Sequence, residues 1–365
     1  MTSSSRPRLH LVGGFLGSGK TTAISTAAKL LAAQGQRVGI LTNDQGRYLV
    51  DTAFVRAQDI PAMEVVGGCI CVQLVDFIGR LDLLIEKAHP QVIFAESVGS
   101  CADMVATVVK PLMSSPECAA DIASLSVFTD ARLLLRHLEG QELPFSEPVA
   151  YLFGQQLEEA GLIVVNKIDL VSPADRERLS ALLKQHYHAK RVSMQNSLEA
   201  AQVADWLDAI ESGHAAAPLQ ALDLDLSLRA QGVMRLGWLS ARLDIMGGDN
   251  AARFIADLFT ALRMEKIPIG HAKALLTNAA RQTVKISLTG ADETPEANGL
   301  LSQCVGLGAG WLDVLINLRA ESPPQHLRAL LDQALLHARE RNPQVNLAAV
   351  EAFYPEAPRP TEHGF

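Results

Sequence analysis

The chain has 365 residues, of which 48% are hydrophobic and 20% charged, and its formal net charge is −8. This composition excludes a globally disordered chain, and the acidic balance argues against nucleic acid as a partner. Five cysteines are too few for a disulfide scaffold and are typical of reduced thiols in a cytoplasmic protein. No apolar run reaches the ~18 residues of a membrane span, so we expect no membrane association.

Strand and helix signals alternate through the first part of the chain. Helical spacing of apolar residues predicts helices at Thr22–Gln34 and Val75–Ala88. This alternation is typical of an α/β fold with a mostly parallel sheet, whose ligands bind at the carboxyl ends of the strands. Short apolar runs predict the strands Leu9–Gly13, Arg37–Thr42, Gln91–Ala95, Leu125–Thr129 and Leu162–Val165.

The composition shifts at Gly213–Pro218, which we interpret as a linker. We therefore predict a nucleotide-binding domain over residues 1–213, a smaller α+β domain over residues 221–355 and a loose tail over residues 356–365. The elements predicted in the second domain are the strands Met234–Ile245, Thr283–Thr289 and Leu312–Arg319 and the helices Asn250–Met264 and Pro323–Arg341.

A phosphate-binding loop is predicted between the first strand and the first helix. Residues 14–21 fit the pattern G-x-x-x-x-G-K-[ST], and this strand–loop–helix context is the one such a motif requires. Its glycines let backbone N–H groups converge on phosphate oxygens, and the helix N-terminus favours negative charge. The predicted nucleotide contacts here are Gly14, Gly17, Ser18, Gly19, Lys20, Thr21 and Thr22.

The base is predicted to be guanine. Asn166, Lys167 and Asp169 form the pattern N-K-x-D at the end of an apolar strand. A carboxylate at Asp169 can accept hydrogen bonds from guanine N1–H and N2–H₂, a donor pair that adenine lacks. We expect Asn166 to brace the loop and the stem of Lys167 to lie along the ring.

Carboxylates that follow two other strands predict a magnesium site and a catalytic group. Glu96 and Gly99 form Glu-x-x-Gly after the strand Gln91–Ala95, and Asp44 and Asp51 follow the second strand. We expect the Gly99 N–H to face the γ-phosphate and the carboxylates to reach Mg²⁺ or its water shell. The predicted magnesium ligands are Thr21, Asp44, Asp51 and Glu96, and the predicted catalytic residues are Lys20, Asp44, Glu96 and Gly99.

Three cysteines predict a thiolate metal site. Cys69 and Cys71 lie two residues apart, which separates their side chains by roughly 7 Å in an extended chain. Two thiolates on one Zn²⁺ lie only about 3.8 Å apart, so a tight bend is required, and Gly67–Gly68 could permit it. Cys101 is the candidate third ligand, with Glu64 a weaker fourth, and we interpret Cys118 and Cys304 as structural.

These motifs together resemble the CobW-like metal-trafficking GTPases, whose relatives are the nickel chaperones of urease and hydrogenase maturation. The family carries Glu at the position of Glu96, where most GTPases carry Asp, and the resemblance covers roughly Leu9 to Leu170. One departure is Val72, which stands where the family usually has the last cysteine of Cys-x-Cys-Cys. Cys101 is similar to a cysteine that hydrogenase nickel chaperones carry just beyond Glu-x-Val-Gly.

The resemblance implies a Mg²⁺-dependent GTPase that delivers a divalent metal, or a metal-containing cofactor, to a client metalloprotein. The thiolates leave Zn²⁺, Co²⁺ and Ni²⁺ open. No arginine finger is evident, so we expect activation by a nucleotide-dependent homodimer or by the client. Three alternatives stay open: a small-molecule kinase, a GTPase that escorts or gates a corrinoid without binding free metal, and a non-catalytic nucleotide-sensing adaptor.

Overall fold

The structure, a computed structural model, describes residues 6–44, 46, 50–66, 69–213, 215–290 and 297–355. Internal contacts divide these residues into two compact units. The first unit holds residues 6–44 and 59–233, and the second holds the described parts of 46–58 and 234–355. The second unit thus includes a short insertion from the first half of the chain, and the first unit extends beyond the predicted linker. The predicted domain limits stay a prediction, and the predicted tail lies outside the described residues.

The first unit is built on a seven-stranded sheet in the order β3-β2-β4-β1-β5-β6-β7, and every pairing in it is parallel. Strands β4 and β6 are buried along their whole length, which explains why each appears as a continuous apolar run. The predicted α/β P-loop fold is confirmed. The strands are β1 (Arg8–Gly14), β2 (Val38–Asp44), β3 (Ala62–Val66), β4 (Val92–Glu96), β5 (Asp121–Asp130), β6 (Leu162–Asn166) and β7 (Arg191–Gln195).

Helices cover this sheet because each buries one apolar stripe. In α3 the buried side chains are Phe77, Leu81 and Leu84, which recur at helical spacing. A π-helix, Val105–Val109, precedes the short helix α4. The helices of this part are α1 (Lys20–Ala33), α3 (Leu74–Ala88), α4 (Lys110–Ser114), α5 (Ala131–Leu138), α6 (Glu147–Glu158), α7 (Pro173–His186), α8 (Ala200–Glu211) and all but the last two residues of α9 (Leu226–Arg235), whereas α2 (Val50–Arg56) belongs to the second unit.

The strand order gathers the predicted motifs at one edge of the sheet. Strand β1 lies between β4 and β5, and in its parallel register with β4 Val12 is opposite Glu96. The phosphate loop therefore leaves β1 at the same edge where β4 delivers Glu96 and β6 delivers Asn166. This is the edge at which open parallel sheets bind ligands.

The second unit has an antiparallel five-stranded sheet in the order β10-β9-β11-β8-β12, so the predicted α+β fold is confirmed. Helix α10 packs Phe254, Leu258 and Phe259 into its core. No helix among the described residues combines the length and apolarity that crossing a membrane requires. The elements are β8 (Gly237–Met246), α10 (Gly248–Met264), β9 (Ile269–Asn278), β10 (Thr283–Leu288), α11 (Ala297–Cys304), β11 (Trp311–Ala320), α12 (Pro324–Arg341) and β12 (Val345–Phe353).

Candidate nucleotide and metal site

The phosphate loop has the backbone that its glycines were predicted to allow. Gly14 and Gly19 have φ of 124° and 91°, in the region that favours glycine. A Cβ on Gly14 would lie 2.1 Å from the Phe128 carbonyl oxygen, and a Cβ on Gly19 would lie 2.2 Å from Asn166 Nδ2. Lys20 Nζ donates to the carbonyl oxygen of Gly14 at 2.8 Å, so its ammonium lies against the loop.

A hydroxyl and a carboxylate meet beside this loop. Thr21 Oγ1 donates to Glu96 Oε1 at 3.0 Å, and both residues are buried. Hydroxyl and carboxylate oxygens are ligands that Mg²⁺ accepts, so the pair fits a magnesium site. The structure thus brings together two of the four predicted magnesium ligands.

The other two predicted magnesium ligands are Asp44 and Asp51. Asp44 is the last residue of β2, and its side chain lies outside the described residues. Asp51 is in α2, where it forms ion pairs with Lys273 and with Lys285, the latter at 2.9 Å. Burial opposes the charge on Asp51, but the two lysines outweigh it and hold the pKa of this carboxyl well below its usual range. The structure therefore places Asp51 in a charge cluster of the second unit, and its magnesium role stays a prediction.

Asn166 joins the predicted guanine motif to the phosphate loop. Its Nδ2 donates to the Ser18 carbonyl oxygen at 2.7 Å, and its Oδ1 accepts from the Ser197 N–H and from the Ser197 hydroxyl, each at 2.9 Å. Ser197 follows β7 and was not predicted, because the sequence of this strand carries few apolar residues. The side chain of Asn166 therefore fixes the phosphate loop and the base motif, residues 166–169, relative to each other.

The other two residues of this motif are less buried than Asn166. Lys167 has φ of 61°, and its Nζ lies 3.1 Å from Asp130 Oδ2. Asp130, which was not predicted, also accepts from Arg132 at 2.7 Å. Asp169 is exposed in a short 3₁₀ turn. Its carboxylate is therefore accessible to a base that lies against the loop.

The three predicted metal ligands converge. The sulfur atoms of Cys69, Cys71 and Cys101 all lie within 4.8 Å of one another. The bend that this requires is a tight turn, in which the Cys69 carbonyl oxygen accepts from the N–H groups of Val72 at 2.8 Å and Gln73 at 2.9 Å. The predicted bend residues Gly67 and Gly68 lie outside the described residues.

Asn43 anchors this turn to the sheet. At the end of β2, its Nδ2 donates to the Val65 carbonyl oxygen at 3.1 Å, while its Oδ1 accepts from the Ile70 N–H at 3.0 Å. This turn therefore depends on a polar side chain at the end of β2. Glu64, the weaker fourth candidate, lies in β3 and is not in the cluster that the described cysteines form.

Of the three thiols, Cys71 is the one whose proton is most readily lost. Hydrogen bonds from Cys101 and Cys69 lower the pKa of Cys71, with help from the positive charge of Arg229 and against the effect of burial. Burial raises the pKa of Cys69, and hydrogen bonding with Cys69 and Cys71 raises that of Cys101. A thiophilic metal ion at this place would displace the remaining protons and satisfy all three sulfurs.

Arg229 is a site residue that the sequence did not predict. It lies in α9, beyond the predicted first domain, and its guanidinium donates to Asp103 Oδ2 at 3.1 Å with both side chains buried. Asp103 follows Cys101 by two residues. The ion pair therefore holds a cation near Cys71 and anchors the backbone two residues beyond Cys101.

Cys118 and Cys304 differ from the three clustered thiols. Both are buried, at 2% and 0% exposure, and Cys118 Sγ donates to the Ala120 carbonyl oxygen at 3.4 Å. Cys304 belongs to the apolar core of the second unit. Neither is part of the metal-ligating group that the described residues form, which agrees with a structural role.

Fold and site together define a P-loop nucleotide-binding protein with a thiol cluster beside its nucleotide loops. Residues 8–194, about half of the 365-residue chain, match the nucleotide-binding domain of the CobW/HypB/UreG family. The chain therefore belongs to this family, and the resemblance inferred from its motifs is confirmed.

Curated relatives carry names from metal metabolism. The chain is 30% identical over 181 residues to the zinc chaperone CobW of Sinorhizobium sp, covering 44% of this chain and 51% of the relative. It is 28% identical over 184 residues to the zinc chaperone YeiR of Escherichia coli (strain K12), covering 49% and 52%. The urease accessory protein UreG of Ureaplasma parvum is 24% identical over 220 residues, covering 56% and 94%. The chain spans about half the length of the two zinc chaperones that it matches.

Two solved structures are similar at a low level. The HypB structure from Helicobacter pylori in complex with nickel has a TM-score of 0.40 and 15% identity, covering 58% of this chain and 90% of that one. The Zn(II)-bound YjiA GTPase from E. coli has a TM-score of 0.37 and 12% identity, covering 90% and 99%. Because both scores are low, the fold is assigned from the strand order of this chain alone.

Proposed function

We propose that this protein is a Mg²⁺-dependent GTPase that couples hydrolysis of the β–γ phosphoanhydride to delivery of a divalent metal ion to a client protein. The observation that carries the proposal is the position of Cys101. Its sulfur lies within 4.8 Å of those of Cys69 and Cys71, and it follows by two residues the glycine that we assign to γ-phosphate sensing, Gly99. A metal ligand on a nucleotide-sensing segment gives the nucleotide a physical route to metal affinity.

The nucleotide is held by the loop between β1 and α1. The loop amides and Lys20 bind the β- and γ-phosphates, and Lys20 exchanges its loop carbonyls for phosphate oxygens. Thr21 and Glu96 offer adjacent oxygens to Mg²⁺, with Asp44 as a further proposed ligand. The bound ion supplies charge neutralisation on the phosphates.

Asp169 is assigned to the choice of base, and Gly99 and Glu96 are assigned to GTP hydrolysis. The exposed carboxylate of Asp169 accepts from guanine N1–H and N2–H₂, which selects GTP over ATP. The Gly99 N–H contacts the γ-phosphate, so the segment after Gly99 responds to hydrolysis. Glu96 also positions the hydrolytic water through its carboxylate.

The cargo is a thiophilic divalent ion. Two curated relatives are named zinc chaperones, which favours Zn²⁺, although thiolates also accept Co²⁺ and Ni²⁺. Three protein ligands leave a fourth position for water or for a client side chain, as in zinc sites that exchange ligands. Cys71 is the half-buried member of the cluster and so the side from which an ion enters and leaves.

In the proposed cycle, the nucleotide state decides how many thiolates bind the ion. With GTP bound, all three thiolates hold the ion, and hydrolysis withdraws Cys101 with the Gly99 segment, which lowers metal affinity. The ion then passes to a client metalloprotein in the cytoplasm. A GTP-dependent homodimer or the client itself supplies the activating group.

Nucleotide and metal binding are tested separately. We expect the protein to hydrolyse GTP in preference to ATP, Lys20→Ala to abolish hydrolysis and Asp169→Asn to weaken the preference for guanine. We also expect one Zn²⁺ per chain to bind, with the affinity lost in Cys71→Ser and kept in the control Cys118→Ser. Equal use of ATP and GTP, or unchanged zinc affinity in Cys71→Ser, contradicts the corresponding half of the proposal.

A further inference from the structure

The backbone between Gly99 and Cys101 is clamped by one side chain. Gln156, in α6, uses its single amide NH₂ group to donate to the Gly99 carbonyl oxygen at 3.0 Å and to the Cys101 carbonyl oxygen at 2.8 Å. The side chain of Gln156 is 2% exposed, so water does not compete for these bonds. The same donor group therefore holds the residue assigned to the γ-phosphate and the residue assigned to the metal.

Glu159, at the C-terminal end of α6, holds the backbone that follows Cys101. Glu159 accepts from the Asp103 N–H at 2.6 Å and from the Val105 N–H at 3.1 Å. Asp103 has φ of 80°, which is rare for a residue with a side chain, and the bonds that it donates to Glu159 and accepts from Arg229 hold it there. This end of the segment is therefore a fixed point, from which the π-helix begins.

The other end of the segment is packed against the phosphate loop. A Cβ on Gly99 would lie 2.7 Å from Leu16 Cδ2 and 2.9 Å from Leu16 Cα, so the two backbones are in close contact. The Cys101 N–H also donates to the Val98 carbonyl oxygen at 2.9 Å. A shift of the phosphate loop on nucleotide exchange thus reaches Gly99 first.

We propose that Gln156 is the positioning residue that couples the nucleotide state to the metal site, by making Gly99 and Cys101 move as one unit. Chain connectivity alone does not ensure this, because the intervening residue Ser100 has two soft dihedral angles that can absorb a shift at Gly99. The shared amide removes that freedom, since rotation at Ser100 breaks one of its two hydrogen bonds. This inference rests on the proposed function.

Coupling is measured as the ratio of Co²⁺ affinities in the GTP-analogue and GDP states. Gln156→Met keeps the length of the side chain and removes its donors, so we expect the ratio to fall to within about twofold of one. The effect of Co²⁺ on GTP-analogue affinity falls by the same factor, because binding linkage is reciprocal. The matched control is Gln155→Met, a half-buried neighbour on the same helix, which keeps the parent ratio.

The outcomes separate this inference from the proposed function. A parent protein with equal Co²⁺ affinity in both nucleotide states contradicts the proposed function itself. A state-dependent parent together with an unchanged ratio in Gln156→Met overturns the clamp alone. If Gln156→Met does not fold, as judged by thermal unfolding, Gln156→Asn replaces it, because a side chain shorter by about 1.5 Å keeps the amide but withdraws it from both carbonyls. The same two criteria then apply to Gln156→Asn.

Discussion

Replacing Asn166 by Ala is expected to separate the phosphate loop from the base motif and to destabilise the first unit. The substitution removes one hydrogen bond to the Ser18 carbonyl oxygen and two from Ser197, at 2.7–2.9 Å. The three bonds contribute about 3 kcal/mol, and leaving a buried carbonyl and a buried amide without partners raises the loss to about 5 kcal/mol or more.

Urea unfolding and GDP titration measure this effect together. The control is Asn196→Ala, which loses a hydrogen bond that its Oδ1 accepts from the Leu198 N–H near the surface and should cost under about 1 kcal/mol. We expect GDP affinity to fall with the loss of loop support in Asn166→Ala and to stay unchanged in the control. A stability loss in Asn166→Ala no larger than that of the control would refute the view that this side chain joins the two motifs.

Three further substitutions probe separate parts of the structure. Because the Asp51 pKa is depressed by its lysine partners, its contribution to stability is present above its unfolded pKa and is lost as pH falls below about 4. Asp51→Asn should lower the free energy of unfolding by about 3 kcal/mol at pH 7. In urea unfolding, the variant should also lack the loss of stability that the parent shows below about pH 4. The same pH profile in variant and parent would contradict the ion pairs. Burial raises the pKa of Glu159 from its ordinary value of 4.5 to about 7, so its contribution to stability is present below pH 4.5 and is lost as pH rises through about 7. Glu159→Gln should flatten thermal stability across that interval, and a parent with no slope there contradicts the assignment. Gly99→Ala forces a Cβ to within 2.9 Å of the Leu16 backbone, so single-turnover GTP hydrolysis should slow at least about tenfold; parental turnover would exclude close packing of the two segments during catalysis.

The sequence predicted the central strands of the first sheet better than its edges. Strands β4 and β6 are buried throughout, so their apolar runs were visible. Strand β7 at the sheet edge is exposed at its first two residues and was missed, because an edge strand needs less apolar sequence. In the second unit, β12 was missed because a register shift between Leu347 and Ala349 interrupts its alternation. Strand β9 is buried along most of its length, so it showed no alternation at all.

The site residues, too, were predicted where the signal lies within a few residues of sequence and were missed or misassigned where it does not. The glycine pattern of the phosphate loop and the pair Cys69 and Cys71 could be predicted, because each feature lies within a few consecutive residues. Arg229 lies 126 residues from its partner Asp103, and no local pattern connects them. Asp51 was assigned to magnesium from its position after β2, but the lysines that it contacts lie 222 and 234 residues further along the chain. Contacts of this kind depend on the tertiary fold and have no signature in one sequence.

Linkage between nucleotide state and metal affinity is the central claim, and a Co²⁺ titration tests it most directly. Thiolate-to-cobalt charge-transfer absorption reports how many sulfurs bind the ion, so parent protein and Cys101→Ser are titrated with GTP analogue and with GDP. We predict tighter binding and one more bound thiolate in the GTP-analogue state of the parent, and no difference between states in Cys101→Ser. Equal affinity and equal absorption in both states of the parent would contradict the account.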